Sequence, residues 1–198
     1  MIRRPPRSTR KESSAASDVY KRQDGDMLLM DVGAEYANYS SDMTRTVPVN
    51  GRFTARQKAV YQAVLNVKNE ATKMLVSGTL WEAYHKEVGK LMTSELVGLG
   101  LLDSADIQNQ DPKKPAYKKY FMHGTSHHMG LDTHDFGVLK EPMVANMVFT
   151  VEPGIYIPEE KMGIRLEDDV VIQSSGAPLN LMKNIPIEVE AIETYMNA

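Results

Sequence analysis

Cysteine is absent from the 198 residues. Its absence excludes a disulfide framework and any zinc site built on thiolates, and it fits a cytoplasmic protein, the localisation expected here. No apolar run approaches the roughly 20 residues that a membrane-crossing helix needs, so no membrane partner is expected. Histidine is also scarce, with five in all. Four of the five, His123, His127, His128 and His134, nevertheless fall in one stretch, Tyr-Phe-Met-His-Gly-Thr-Ser-His-His-Met-Gly-Leu-Asp-Thr-His-Asp, over residues 120–135. Scattered histidines usually cap loops or sit in a core. Crowded among Gly124, Ser126, Gly130 and Asp132 they point to a shared centre, because small residues let side chains converge.

The net charge of −3 hides a split. Residues 1–23 carry seven Lys/Arg against two Asp/Glu, a balance of +5; residues 24–198 carry 16 against 24, a balance of −8. The head is rich in Arg and Ser, holds Pro5-Pro6 and shows no helical or strand period. A transit peptide or a nucleic-acid arm has that composition. The stretch is more similar to translated sequencing-adapter DNA, so native sequence is expected to begin at Asp24 and residues 1–23 to stay unpacked. The 198 residues are 42% hydrophobic, enough for a single domain with a core.

From Asp24 the pattern is regular. Met27 to Val32 predicts a buried strand, and Ser41 to Val49, rich in Thr and Val, a second. If they pair about Tyr36-Ala37, Asp31 and Asp42 face each other across a hairpin. Thr54 is a helix N-cap, and Val60, Ala63, Val64, Val67, Ala71, Met74 and Leu75 keep helical spacing up to Gly78. A second helix is predicted from Leu80 to Val97; His85 in it has no recruiting neighbour and reads as structural or exposed. Residues 103–119 predict a polar surface loop whose lysines are solvated, with no nucleic-acid patch. Met147 to Val151, Ile155 to Ile157 and Gly163 to Ile172 predict strands, and Pro186 a terminal helix to Met196. Glu152 and Glu167 are equidistant from the turn at Glu159-Glu160, so a second hairpin brings two carboxylates face to face.

Asp31, Asp42, Glu152 and Glu167 all lie in or beside apolar runs, where an unpaired charge is costly. With His127 they form an oxygen-rich set with one nitrogen. Four carboxylates balance two divalent cations, and such donors suit manganese, cobalt, iron or zinc better than copper. Paired metals lower the pKa of a bridging water and clamp a hydrolytic reaction from both sides.

The segments Met-Asp-Val-Gly, Ser-Asp-Met-Thr-Arg-Thr, the histidine stretch, Thr-Val-Glu-Pro-Gly-Ile-Tyr and Arg-Leu-Glu-Asp-Asp together resemble the pita-bread metallopeptidases, in their aminopeptidase P and prolidase branch. Met129 and Thr133 stand where branched aliphatics are more usual. The resemblance implies an α+β pita-bread fold with an antiparallel sheet and flanking helices. It implies a dinuclear centre, manganese first among the candidates, ligated by Asp31, Asp42, His127, Glu152 and Glu167, with Asp42 and Glu167 bridging. It implies Glu152 as proton acceptor, His123 and His134 as substrate-orienting histidines, and Arg165 and Tyr156 lining the site; His128 is expected to be structural. The implied activity is removal of an N-terminal residue that precedes proline, with Xaa-Pro dipeptide hydrolysis as the close alternative. Methionine aminopeptidase and a non-catalytic binding module stand further off, the latter because all five ligands are present. Partners implied are peptides with proline at the second position and, for the whole enzyme, copies of itself. The family carries a further histidine upstream of the first aspartate, at a position falling near Ser14 in the head. The expectation is therefore an N-terminally truncated domain, impaired as an enzyme, with apolar surface bared on strand 27–32 and helix 54–76.

Overall fold

In a computed structural model, residues 22–198 are described. The expectation for residues 1–23 therefore lies almost wholly outside the described residues, with only Arg22 and Gln23 inside them. The order is β1 (Met27–Val32), β2 (Glu35–Tyr36), β3 (Tyr39–Ser40), β4 (Met43–Pro48), α1 (Ala55–Met74), α2 (Trp81–Gly98) and α3 (Ser104–Gln108). There follow β5 (Val148–Val151), β6 (Gly154–Ile157), β7 (Met162–Arg165), β8 (Asp168–Val171), β9 (Leu179–Asn180) and α4 (Val189–Met196). All pairings are antiparallel. Helices packed on one side of antiparallel strands make this the expected α+β class. No helix among the described residues is long and apolar enough to cross a membrane.

The first hairpin runs through β1–β4 and β2–β3 in a single register and turns at Ala37-Asn38, both with positive φ of 51° and 69°. Two left-handed residues at a two-residue loop give the turn whose twist matches the flanking strands. This corrects the expected register. Asp31 faces Thr44, not Asp42. The turn centre lies one residue further along than the sequence suggested, and that moves every partner by two. Since side chains alternate with period two, the shift keeps Asp31 and Asp42 on one face as diagonal neighbours.

The second hairpin keeps the expected register. Val151 pairs with Asp168 and Gly154 with Arg165, so Glu152 and Glu167 lie opposite each other in the gap between two ladders of common register. Thr54 caps α1 with a capping box to Gln57, as its sequence position predicts. Val60, Val64, Ala71 and Leu75 are fully buried beneath the strands. The expectation of bared apolar surface therefore fails for this helix. It holds for the strand, where Met30 is 37% and Val32 51% exposed.

Three local expectations need correction. Residues 103–119 contain α3, capped by Asp103, and a 3-10 turn at Ala116–Lys119. Short helices of this kind are set by caps, which an apolar period does not reveal. Lys118 is half-buried rather than freely solvated: its Nζ donates to the His123 carbonyl at 3.1 Å and lies 5.4 Å from the Tyr117 and Phe121 ring centres. The terminal helix begins at Val189, three residues after Pro186.

His85 is structural, as expected. It stands edge-on to Trp81 at 4.7 Å, and burial, helped by Lys118, lowers its pKa to about 4. Below the ordinary value near 6.5 the unfolded chain binds a proton that the folded chain refuses. Stability contributed by neutral His85 is therefore full above pH 6.5 and falls as the pH drops towards 4. His85→Phe is expected to unfold at higher denaturant concentration than the parent at pH 5 and at the same concentration at pH 8. Equal differences at the two pH values would contradict this assignment.

Candidate metal centre

Each hairpin delivers carboxylates to one cleft, and a third segment delivers the histidines. Residues 125–129 run antiparallel beside β5: Glu152 N donates to Thr125 O at 2.7 Å, Thr150 N to His127 O at 3.1 Å, and Met129 N to Val148 O at 3.2 Å. The segment fixes His127 beside Thr150 and brings it level with Glu152. The two hairpins are joined directly, since Glu167 N donates to Thr44 O at 3.0 Å and the Thr46 hydroxyl to Arg165 O at 2.9 Å.

The result is a cavity of about 460 Å³ lined by Asp31, Asp42, His123, His127, Glu152 and Glu167, with His134 and Arg165 at its wall. His127 Nε2 lies 3.6 Å from Asp42 Oδ2 and 3.7 Å from Glu152 Oε1. Its Nδ1 meets the His128 carbonyl at 3.0 Å. A carbonyl only accepts, so Nδ1 carries the proton and the Nε2 lone pair is left facing the carboxylates, the tautomer of a metal ligand. Three sets of potential ligand atoms come within 4.8 Å of one another: Asp31, Asp42 and Glu167; His127, Glu152 and Glu167; and Asp42, His127 and His134. Asp42, Glu167 and His127 each belong to two sets; of these only the two carboxylates have a second donor atom with which to bridge.

The electrostatics call for cations. Burial, reinforced by neighbouring carboxylates, pushes Glu152 up to about 7 and Glu167 up to about 8, and raises Asp42. Among the described residues Arg165 brings positive charge to the cleft wall, where it pairs with the half-exposed Asp31 and partly offsets the rise of Glu152. Oxygen donors crowded in this way around an imidazole fit divalent ions, whose charge reverses the local pKa order. The residues present fit such a centre.

The remaining predicted residues also converge. His123 Nδ1 donates to the Gly124 carbonyl at 2.7 Å, leaving Nε2 to accept from the Tyr156 hydroxyl at 2.9 Å. Tyr156 OH in turn accepts from Arg165 Nη1 at 3.3 Å. The His134 ring lies 4.2 Å from that of His127, close enough to enter a ligand set. His128 turns away, stacked on Trp81 and tilted against Phe149 at 4.4 Å, as a structural histidine should.

Sequence reasoning missed the supports. Thr44, fully buried, donates to Glu167 Oε2 at 2.6 Å and accepts from Arg165 Nε at 3.0 Å. Its signal was available: Asp42, Thr44 and Thr46 alternate, so all three share a face. The Ser126 hydroxyl bonds Tyr84 at 2.8 Å, tying α2 to the histidine segment. Asp169 also escaped notice.

Paired carboxylates converging on an imidazole are the donor set of a dinuclear site of the kind that metal-dependent hydrolases use. The sequence matches Metallopeptidase family M24 over residues 8–174, a span that begins within the basic head, and the chain belongs to that family. It is 40% identical over 188 residues to the Xaa-Pro aminopeptidase of Escherichia coli K12, covering 89% of this chain and 42% of that one. To the Xaa-Pro aminopeptidase of Haemophilus influenzae it is 38% identical over 186 residues, covering 88% and 43%. The zinc-substituted aminopeptidase P of E. coli in complex with product superposes with a TM-score of 0.79 at 39% identity, covering 88% of this chain and 42% of that one. The same enzyme with the inhibitor Pro-Leu gives the same figures. The fold is therefore the expected pita-bread fold. The chain spans about two fifths of the length of these relatives.

Proposed function

We propose that this chain carries the catalytic centre of an Xaa-Pro aminopeptidase, which hydrolyses the bond between an N-terminal residue and a following proline. The observation that carries the reading is that the carboxylates Asp42 and Glu167 share one ligand set with Asp31 and also each fall in a set with His127. The relatives named for that activity, and the Pro-Leu inhibitor bound by one of them, support the substrate class. Asp31, Asp42, His127, Glu152 and Glu167 would hold two divalent ions, with manganese preferred among donors this rich in oxygen. Bound there, the pair supplies an activated water and charge for the developing oxyanion.

The chain's own residues do the rest. Glu152 faces both His127 and His123, the latter at 3.8 Å, and takes the proton of the attacking water. His123, braced by Tyr156 and Arg165, and His134, exposed at the mouth, orient the peptide. We expect slow turnover from this chain, because Asp31, its side chain 52% exposed, is the least enclosed of the five ligands.

The test is release of the N-terminal residue from an Xaa-Pro-Xaa tripeptide by the full chain with Mn²⁺, beside an Xaa-Ala-Xaa control. Only the proline peptide should be cleaved, and Glu152→Gln should slow it by about 10²–10⁴-fold, the worth of a positioned general base. Cleavage of the alanine control at an equal rate contradicts the proposal. Hydrolysis confined to Xaa-Pro dipeptides favours the prolidase reading.

A further inference from the structure

We infer that Asp169 is a positioning residue for the metal ligand Asp42, holding it through its backbone. The inference rests on the metal-centre reading above. Asp42 immediately precedes β4, and the β1–β4 ladder ends at Val32 paired with Met43, so the hairpin supplies no partner for the Asp42 amide. That amide donates instead to Asp169 Oδ2 at 3.1 Å, across 127 residues of sequence.

Asp169 is an improbable residue for its place. It is wholly buried in β8, the middle strand of β5-β8-β9. Its neighbour Asp168, pointing to the other face, is paired with Arg45 and Lys68, whereas the salt bridges of the described residues include none to Asp169. Its second oxygen, Oδ1, is the one buried side-chain polar atom among the described residues with no hydrogen-bond partner. A carboxyl in that state costs stability that an apolar side chain would not. What the costly group secures is a fixed spacing. Glu167 and Asp169 are two residues apart and share a face, so a single segment supplies one bridging ligand directly and anchors the other. Supports of this kind are worth about 10–100-fold in metal affinity.

Calorimetric titration of the metal-free full chain with Mn²⁺ tests the inference, using Asp169→Asn and Asp169→Leu. Asn keeps an acceptor oxygen and should bind both ions within about threefold of the parent, well inside the effect expected of a lost support. Leu fills the volume without an acceptor and should bind about 10–100-fold more weakly, while its metal-free unfolding midpoint stays level or rises. Visible absorption of the Co²⁺ form, which reports ligand geometry, should change in the Leu variant and not in the Asn variant. Should Leu fail to fold, Asp169→Ala makes the same test without added bulk. Parent-like affinity in the acceptor-free variant overturns the inference, as does equal weakening in Asn and Leu. Failure of the parent itself to take up Mn²⁺ overturns the metal-centre reading and this inference together.

Discussion

Glu167→Ala is expected to empty the centre of both ions, whereas His127→Ala mainly weakens one. Glu167 lies within ligand distance of Asp31 and Asp42 on one side and of His127 and Glu152 on the other. Two dications roughly 3.5–4 Å apart repel by on the order of 15 kcal/mol at an effective dielectric of about 20. A carboxylate between them is the group that offsets this. His127 also falls in two sets, with Glu152 and Glu167 and with Asp42 and His134, but its Nε2 offers a single lone pair and cannot bridge two ions. Its loss removes one donor and leaves the bridge in place. Metal analysis of purified variants should give close to two ions per chain for the parent and close to none for Glu167→Ala. The folded state should survive, because the Thr44 hydroxyl released by the change can be reached by the cavity's water. Two tightly held ions in the Glu167 variant would show that the bridge lies elsewhere.

The second large effect is on stability. Asp168 is 2% exposed and pairs with Arg45 Nη2 at 2.7 Å and with Lys68 Nζ; Asn180 Nδ2 donates to its other oxygen at 2.7 Å. Arg45 reaches onward to the Glu167 carbonyl at 2.6 Å and the Pro186 carbonyl at 3.0 Å, so this network joins β4, α1, β8 and the C-terminal segment. Asp168→Ala leaves two buried cations without an anion and is expected to cost about 3–5 kcal/mol. Against a typical domain stability of about 5–15 kcal/mol, that places the variant near unfolding at room temperature. Combining Asp168→Asn with Lys68→Met should recover much of the loss, since Asn still accepts from Arg45 and Met needs no partner. Denaturant titration of the single and double variants measures the coupling. Additive losses would mean that Lys68 and Asp168 do not depend on each other.

Much of this architecture was legible before folding, and what was not has definite physical causes. The second hairpin could be placed to the residue because its carboxylates lie symmetrically about an acidic turn and one register runs unbroken from Val148 to Val171. The first was misplaced by one residue at its turn. Ala37 adopts a left-handed conformation that its sequence does not advertise, as glycine or asparagine would have done. The candidate ligand set was readable because four carboxylates beside apolar strands are costly without cations, and one cleft does bring them together with His127. Ser126 and Asp169 were not. They act through hydrogen bonds between segments more than a hundred residues apart or across packed elements, and no local pattern carries that information. Lys118 shows the converse: a lysine pair in a polar stretch reads as solvated, yet its neighbours Tyr117 and Phe121 fold it down over the His123 carbonyl.

We propose a two-ion centre shared between the hairpins. Anomalous diffraction from crystals of the full chain grown with Mn²⁺, collected at the manganese edge, tests it most directly. Two peaks are expected in the cleft, roughly 3.5–4 Å apart. One should lie against His127 and Glu152 and the other against Asp31, with Asp42 and Glu167 between them. A single peak, or manganese bound outside this cleft, would contradict it.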